Sequence, residues 1–293
     1  MYTYKLYGLY VQSEIKINFL SGYLSKNVSP QIFLREKQFN ECKKNDQISF
    51  SLAHIYRKNV GYFEIVDGKN ISFSRDNKDV SNETIGRSLI NVILGYCLYQ
   101  REHFVMHASA IEINKNSFIF FGASGSGKSS LSADLYKNFN ADLLSEDVAC
   151  IDEIDNKFSI KHAPSFVKLS DNIADILNFD QSEKLYLQSD RLKRSLYPVI
   201  KKSTNNNLRA CFFLQWGDEY SLLPMSNEKI IPAFLTSSFS AFPFNSCKKS
   251  SILLHKSISK ISKTIPIYNL KRNKKELFQN SKEIFNFLEK FKD

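Results

Sequence analysis

The chain has 293 residues, 43% of them hydrophobic and 24% charged, which is enough apolar side chain to bury a sizeable core and excludes wholesale disorder. Forty Lys and Arg against 30 Asp and Glu leave a formal charge of +10; from Lys248 onward twelve basic residues stand against four acidic ones, so +8 of that excess lies in the last segment. No apolar run approaches the roughly 18 residues that a membrane helix needs, and MYTYKLYGLYVQSEIK lacks the order of a secretory signal, so a cytoplasmic protein with no membrane partner is expected.

Residues 1–80 read as β-rich. Tyr2–Ile17 alternates in part, and Ile48–Ile55 and Gly61–Ile65 have strand character, with polar, turn-prone stretches at 43–46, 67–70 and 75–82 between them. From Asn82 to Tyr99 the period changes. Ile85, Leu89, Val92, Ile93 and Cys97 recur at three- and four-residue steps, which predicts an amphipathic helix. After it the pattern is βαβ: strands over Phe104–Ile113 and Ser117–Phe121, a helix over Ser129–Phe139, and a strand over Ala141–Cys150. Leu208–Gln215 and Tyr220–Leu223 read as a hairpin through Trp216–Glu219, and Glu276–Phe291 as a closing helix. Residues 178–206, polar and lysine-rich, read as a mobile loop. The expected organisation is a β-rich region at 1–98 and an α/β core at 99–293 that ends in a basic, helical tail.

The five cysteines (Cys42, Cys97, Cys150, Cys211 and Cys247) are odd in number and never form CxxC, which argues against a disulfide framework or a zinc knuckle. Cys97, Cys150 and Cys211 sit in apolar runs and read as buried small hydrophobes. The basic last segment carries no aromatic or arginine pattern of a nucleic-acid motif, so solvated helix faces are expected there rather than a nucleic-acid partner.

The sharpest feature is GASGSGKS. The eight residues Gly122, Ala123, Ser124, Gly125, Ser126, Gly127, Lys128 and Ser129, followed by Ser130, fit G-x-x-x-x-G-K-[ST] between an apolar strand and a helix. Three of the chain's ten glycines fall in this motif. Such a loop needs backbone angles that other residues resist and a close approach of N–H groups to phosphate. The following helix N-terminus adds unpaired donors and a partial positive charge. Lys128 would reach the β- and γ-phosphates, and Ser129 would ligate Mg2+.

A phosphate cradle alone does not separate a kinase from an ATPase, a GTPase or a nucleotide sensor. Leu143 and Leu144 lead to Glu146 and Asp147, two carboxylates at the C-terminal end of a strand, where the ligand crevice of an open α/β sheet lies. One could hold Mg2+ while the other orients or deprotonates a hydroxyl. Neighbours on a strand point to opposite faces, so both can serve one site only if the strand ends there. His107, in the apolar segment FVMHASAIEI, is either a hydrogen-bonded core residue or a partner of these acids; His103 and His162 are rivals for that role.

His107, then GASGSGKS, then LLSEDV resembles the HPr kinase/phosphorylase family, and above all the HPr-kinase-like serine kinases that phosphorylate lasso-peptide precursors. YGLYVQSEI, MHASAIEI, HAPSFVKLSDNIADIL and CFFLQWGDEYSLLPMSNEKIIPAFL resemble further segments of those relatives. The resemblance implies an α/β fold with an HPr-kinase/phosphoenolpyruvate-carboxykinase-like P-loop core. It implies ATP and Mg2+ as cofactors and a serine or related hydroxyl, on a peptide or a small molecule, as acceptor. It also leaves open a homo-oligomeric assembly. Carried over residue by residue, Lys128 and Ser129 hold nucleotide and metal, Glu146 activates the acceptor, Asp147 binds the metal, and His107 stands beside them. Glu146-Asp147 departs from the family's usual Asp-Asp pair, and no Glu-Ile-Arg-Gly signature follows, which speaks against HPr itself as substrate. Lys193 and Arg194 are candidates for a mobile cation. A small-molecule kinase and a non-catalytic nucleotide-binding regulator are the competing readings, and the intact set Lys128, Ser129, Glu146 and Asp147 weighs against the second.

Overall fold

The computed structural model describes residues 1–40, 46–155, 157–186, 194–200, 206–238 and 248–291. Cys42, Lys193, Lys201, Lys202 and Cys247 lie outside the described residues. The first seven strands are β1 (Tyr2–Leu6), β2 (Leu9–Ser13), β3 (Ile32–Glu36), β4 (Gln47–Ile48), β5 (Leu52–Arg57), β6 (Gly61–Val66) and β7 (Asn70–Arg75). They form one sheet in the order β1-β2-β3-β7-β6-β5-β4. Two of its hairpins close through paired residues in the left-handed region, Tyr7-Gly8 (φ 52° and 75°) and Asp67-Gly68 (φ 53° and 59°). Turns of this mirror-image kind match the twist of the strands they join. The expected single strand over Ile48–Ile55 is instead β4 and β5, folded back on each other with Ile48 opposite Ala53. Sequence patterning did not single out β3 and β7; both are short, with only two buried apolar residues each, Ile32 and Leu34 in β3 and Ile71 and Phe73 in β7.

The expected helix over Asn82–Tyr99 is present as α1 (Asn82–Ser88) and α2 (Leu94–Gln100), joined by one wider turn at Leu89–Ile93. Ser81 caps it, its hydroxyl accepting from the Thr84 N–H at 3.2 Å. Ile85, Leu89, Ile93 and Cys97 are buried with the inner face of the first sheet, and Val105, Val148, Cys150, Phe166 and Leu196 join the same cluster.

Next come β8 (Phe104–Met106), β9 (Ala108–Ile113) and β10 (Asn116–Phe121), then α3 (Lys128–Phe139), β11 (Asp142–Ser145), β12 (Ala149–Ile154), β13 (Lys157–Lys161) and β14 (Phe166–Ser170). They are followed by α4 (Asp171–Ile176), β15 (Leu185–Tyr186), β16 (Arg194–Pro198), β17 (Asn207–Trp216), β18 (Ser221–Pro224), α5 (Asn227–Leu235), α6 (Lys248–Thr264), β19 (Ile267–Arg272) and α7 (Ser281–Leu288). The central sheet is six-stranded, in the order β11-β9-β10-β17-β19-β18. α3 and α7 pack on one face around Phe118, Phe120, Leu131 and Phe212. α5 and α6 cover the other around Phe121, Phe234, Leu254 and Ile258.

The structure corrects several expectations. β17 and β18 are not a hairpin: β19 lies between them, parallel to β17 and antiparallel to β18. The basic last segment is therefore no helical tail, because its strand completes the central sheet and α6 buries Leu254, Ile258 and Ile261 against it. Glu276–Phe291 is helical only over α7, after a short turn at Lys274–Glu276. The described parts of 178–206 include β15 and β16, which form a small sheet with β14 in the order β14-β16-β15 rather than one loop. Phe104–Ile113 breaks at His107, and Ala141–Cys150 breaks after Ser145. Cys97, Cys150 and Cys211 are buried free thiols, as expected.

Candidate active site

The site is assembled by strand direction. β10 runs into the glycine loop; β9 is antiparallel to it, and β11 antiparallel to β9. The start of β9 and the ends of β10 and β11 therefore meet at one edge of the sheet. That edge carries His107 just before β9 and Ser109 within it, the loop Gly122–Ser129 after β10, and Glu146 and Asp147 just after β11. β11 is not hydrogen-bonded to β10, because β9 lies between them. The two carboxylates share the edge because the strand stops at Ser145 and Asp147 takes φ 63°, an unusual conformation for a residue with a side chain.

Gly125 and Gly127 have φ of 81° and 84°, the left-handed conformation that glycine adopts without strain. Gly127 has a second reason to lack a side chain: a Cβ there would lie 2.5 Å from Arg272 Nη2 and 2.7 Å from the Trp216 ring. These two residues, at the ends of β19 and β17, brace the loop from below. Arg272 donates to the Gly127 carbonyl at 3.0 Å, the Trp216 indole N–H donates to the Gly125 carbonyl at 2.8 Å, and the guanidinium lies 5.2 Å from the indole centroid. Burial pushes the pKa of Arg272 down to about 10, still far above neutrality, so the brace is cationic. On the other side, Ser237 Oγ accepts from the Gly122 N–H at 3.0 Å. With its carbonyls tied down, the loop is free to present N–H groups to an anion. Lys128 Nζ donates to the carbonyls of Gly122 and Ala123 at 3.0 and 3.1 Å, across the hollow that it would share with phosphate.

The carboxylates have different partners. Glu146 accepts from Ser109 Oγ at 2.6 Å and, on its other oxygen, from Ser129 Oγ. Asp147 is paired with Lys168 Nζ and lies 3.9 Å from His107 Nδ1. The Nδ1–H of His107 donates to the Asp147 backbone carbonyl at 3.0 Å, and since a carbonyl only accepts, that nitrogen carries the proton. Burial, and then the neighbouring Asp147 charge, push the Glu146 carboxyl up to about 7. Burial would raise Asp147 as well, but Lys168, His107 and Arg194 outweigh it and hold that carboxyl at about 2. One acid is poised and the other is firmly ionised.

All the sequence-derived site residues from Gly122 to Ser129, with His107, Glu146 and Asp147, meet at this edge. Ser130 follows in the first turn of α3. Of the rival histidines, His162 bonds with Asn206 and His103 lies beside Asp152 and Lys161 in another sheet. Arg194, at the start of β16, acts on Asp147 and Lys128 through its charge. Sequence reading passed over Lys168, Ser109, Arg272 and Trp216 as site residues. Lys168 was visible as the basic residue of HAPSFVKL, but nothing in its spacing indicated an ion pair with a carboxylate 21 positions earlier, at the edge of another sheet. Ser129 bonds to Glu146, while Asp147 pairs with Lys168.

The oxygen donors suit a hard cation. Mg2+ takes one or two carboxylates and completes its shell with phosphate oxygens and water, so Ser129 and Glu146 fit it.

The family model of phosphoenolpyruvate carboxykinase matches residues 84–158, the stretch that runs from α1 through the glycine loop and both carboxylates into β13. The α/β fold with a phosphoenolpyruvate-carboxykinase-like P-loop core, expected from the sequence, is the fold of this chain. Among solved structures the chain is similar to the Hpr(Ser) kinase/phosphatase from Coxiella burnetii, with 10% identity and a TM-score of 0.30 over 64% of this chain and 97% of that one. No curated protein matches.

The buried pair gives a stability prediction. Lys168→Met leaves two adjacent buried carboxylates without their cation and should cost about 3–5 kcal/mol in urea unfolding. Asp147→Asn combined with Lys168→Met should recover a large part of that loss, since no charge is then stranded. Equal unfolding midpoints for wild type and Lys168→Met would show that the pair does not exist.

Proposed function

We propose that this chain is an ATP- and Mg2+-dependent kinase that transfers the γ-phosphoryl group to a hydroxyl, and that the hydroxyl belongs to a serine of a ribosomally made, lasso-type precursor peptide. The observation that carries the kinase reading is the convergence of Lys128 and Ser129, at the start of α3, with Glu146 and Asp147, just after β11, at one edge of the central sheet. The match of residues 84–158 to phosphoenolpyruvate carboxykinase supports it. The peptide acceptor rests on the resemblance of MHASAIEI and HAPSFVKLSDNIADIL to the lasso-peptide kinases.

In this reading Mg2+, when bound, would neutralise charge on the β- and γ-phosphates, with Ser129 and Glu146 as its protein ligands. Lys128 leaves the carbonyls of Gly122 and Ala123 for the phosphates. Asp147, held ionised by Lys168 and His107, accepts a hydrogen bond from the acceptor hydroxyl and aligns its oxygen with phosphorus. The oxygen–phosphorus bond forms while the bond from phosphorus to the β-phosphate oxygen breaks; the hydroxyl proton passes to Asp147, and ADP leaves. Little covalent chemistry is asked of the protein, which supplies position and charge.

Lys128→Ala should abolish transfer. Asp147→Asn should keep nucleotide affinity within a few-fold and slow transfer by roughly 10²–10⁴, the range for loss of a positioned base. Glu146→Gln should weaken Mg2+-dependent nucleotide binding itself. Nucleotide titration and mass spectrometry of a precursor peptide incubated with ATP distinguish these outcomes. Phosphorylation of free serine but not of the peptide would move the acceptor to a small molecule. Wild-type transfer by Asp147→Asn would contradict the role given to it, and no phosphate release with any hydroxyl acceptor would leave a nucleotide-binding regulator.

A further inference from the structure

Lys128 cannot reach a phosphate without leaving two carbonyls behind, since its Nζ donates to Gly122 at 3.0 Å and to Ala123 at 3.1 Å. A buried carbonyl stripped of its only donor carries a desolvation cost that anion binding would have to overcome. Neither carbonyl depends on Lys128 alone. The Ser126 N–H donates to the Ala123 carbonyl at 3.2 Å, from within the loop. The Gly122 carbonyl takes a hydrogen bond of 3.2 Å from Ser237 Oγ, which lies 115 positions further along the chain. A carbonyl oxygen has two lone pairs, so the lysine and the hydroxyl bind it together.

The end of α5 seats Ser237 for this contact. Phe234 is fully buried, and its ring packs on Phe121 at 4.7 Å and on Phe104 at 6.1 Å, which holds the helix end against β10 and β8. The Phe234 carbonyl accepts from the Ser237 N–H at 3.1 Å. The neighbouring Thr236 hydroxyl donates its proton to the Ala233 carbonyl at 2.7 Å. Ser237 Oγ accepts from the Gly122 N–H at 3.0 Å, which leaves its own proton for the Gly122 carbonyl. Its backbone carbonyl accepts from the His107 N–H at 2.5 Å, so one residue ties the entry of the glycine loop to the strand start beside the acids. Ser237 is only 3% exposed, and water does not stand in for its hydroxyl.

We propose that Ser237 is a positioning residue that frees Lys128 for the nucleotide. It keeps the Gly122 carbonyl paired when the lysine moves to the phosphates, so the move strands no buried acceptor and the loop keeps its shape. This inference rests on the kinase reading of the glycine loop, and its test separates the two. ATP binding with Mg2+ is measured by calorimetry, and stability by urea unfolding, on wild type, Ser237→Ala, Ser237→Thr, Lys128→Ala and the double variant Ser237→Ala with Lys128→Ala. Ser237→Ala should bind ATP about tenfold more weakly, the effect of one buried acceptor left unpaired. Ser237→Thr, which keeps the hydroxyl, should restore most of that affinity. Ser237→Ala should also lower the unfolding midpoint more in Lys128→Ala than in wild type, because only there does the Gly122 carbonyl lose both donors. A merely structural serine would give additive unfolding costs and unchanged ATP affinity. Should Ser237→Ala fail to fold, Ser237→Thr is compared with Ser237→Val, which is equal in size and lacks the hydroxyl; the threonine variant should bind ATP about tenfold tighter. Equal ATP affinities in either comparison, a loss that threonine does not restore, or additive unfolding costs overturn the positioning role while leaving the loop's reading intact. ATP that fails to bind wild type, or binds Lys128→Ala equally well, overturns the kinase reading of the loop and this inference with it.

Discussion

Two carboxylates adjacent in sequence and both buried set the terms for the rest of this structure. Along an unbroken strand Glu146 and Asp147 would point to opposite faces. Placed together in a low-dielectric edge, they repel. The chain meets the first condition by ending β11 at Ser145 and turning at Asp147 with φ 63°. It meets the second by splitting their chemistry. Asp147 takes Lys168, His107 and the field of Arg194, and stays ionised. Glu146 takes two hydroxyls, and its carboxyl rises to about 7. The length of the Glu146 side chain lets its carboxyl reach Ser129 and Ser109 together.

The glycine loop obeys a complementary constraint. A loop meant to bind an anion must turn its carbonyls away and keep its N–H groups available, so the carbonyls need partners of their own. Arg272 and Trp216 supply them from below, and Lys128 supplies others from within. β19 brings in Arg272, which explains why a basic segment near the end of the chain is built into the sheet rather than left in solvent. The brace and Lys128 thus belong to one electrostatic unit, assembled from parts of the chain more than a hundred residues apart.

Local chemistry was legible in the sequence, and long-range pairing was not. The glycine loop, the helix after it and the two acids could be read because each depends on residues a few positions apart. The Ser81-capped helix was legible for the same reason, from the spacing of Ile85, Leu89, Ile93 and Cys97. The β17–β18 hairpin failed because a turn-rich gap at Trp216–Glu219 looks the same whether its flanking strands pair directly or admit a third between them. β19 could not be seen to intervene, since IYNLKR is short, half polar and embedded in lysines. Lys168 and Ser109 escaped as site residues because their meaning lies in a partner 21 or 37 positions away. Which of the two acids bonds to Ser129 was not legible either, since that contact depends on a distance that no spacing rule contains.

The most direct test is a crystal structure with Mg2+ and a non-hydrolysable ATP analogue. The account predicts the triphosphate within Gly122–Ser129, Lys128 Nζ moved from the carbonyls of Gly122 and Ala123 onto the phosphates, and Ser129 with Glu146 on the ion. Lys128 still bonded to those carbonyls, with the analogue lodged elsewhere or absent, would contradict it.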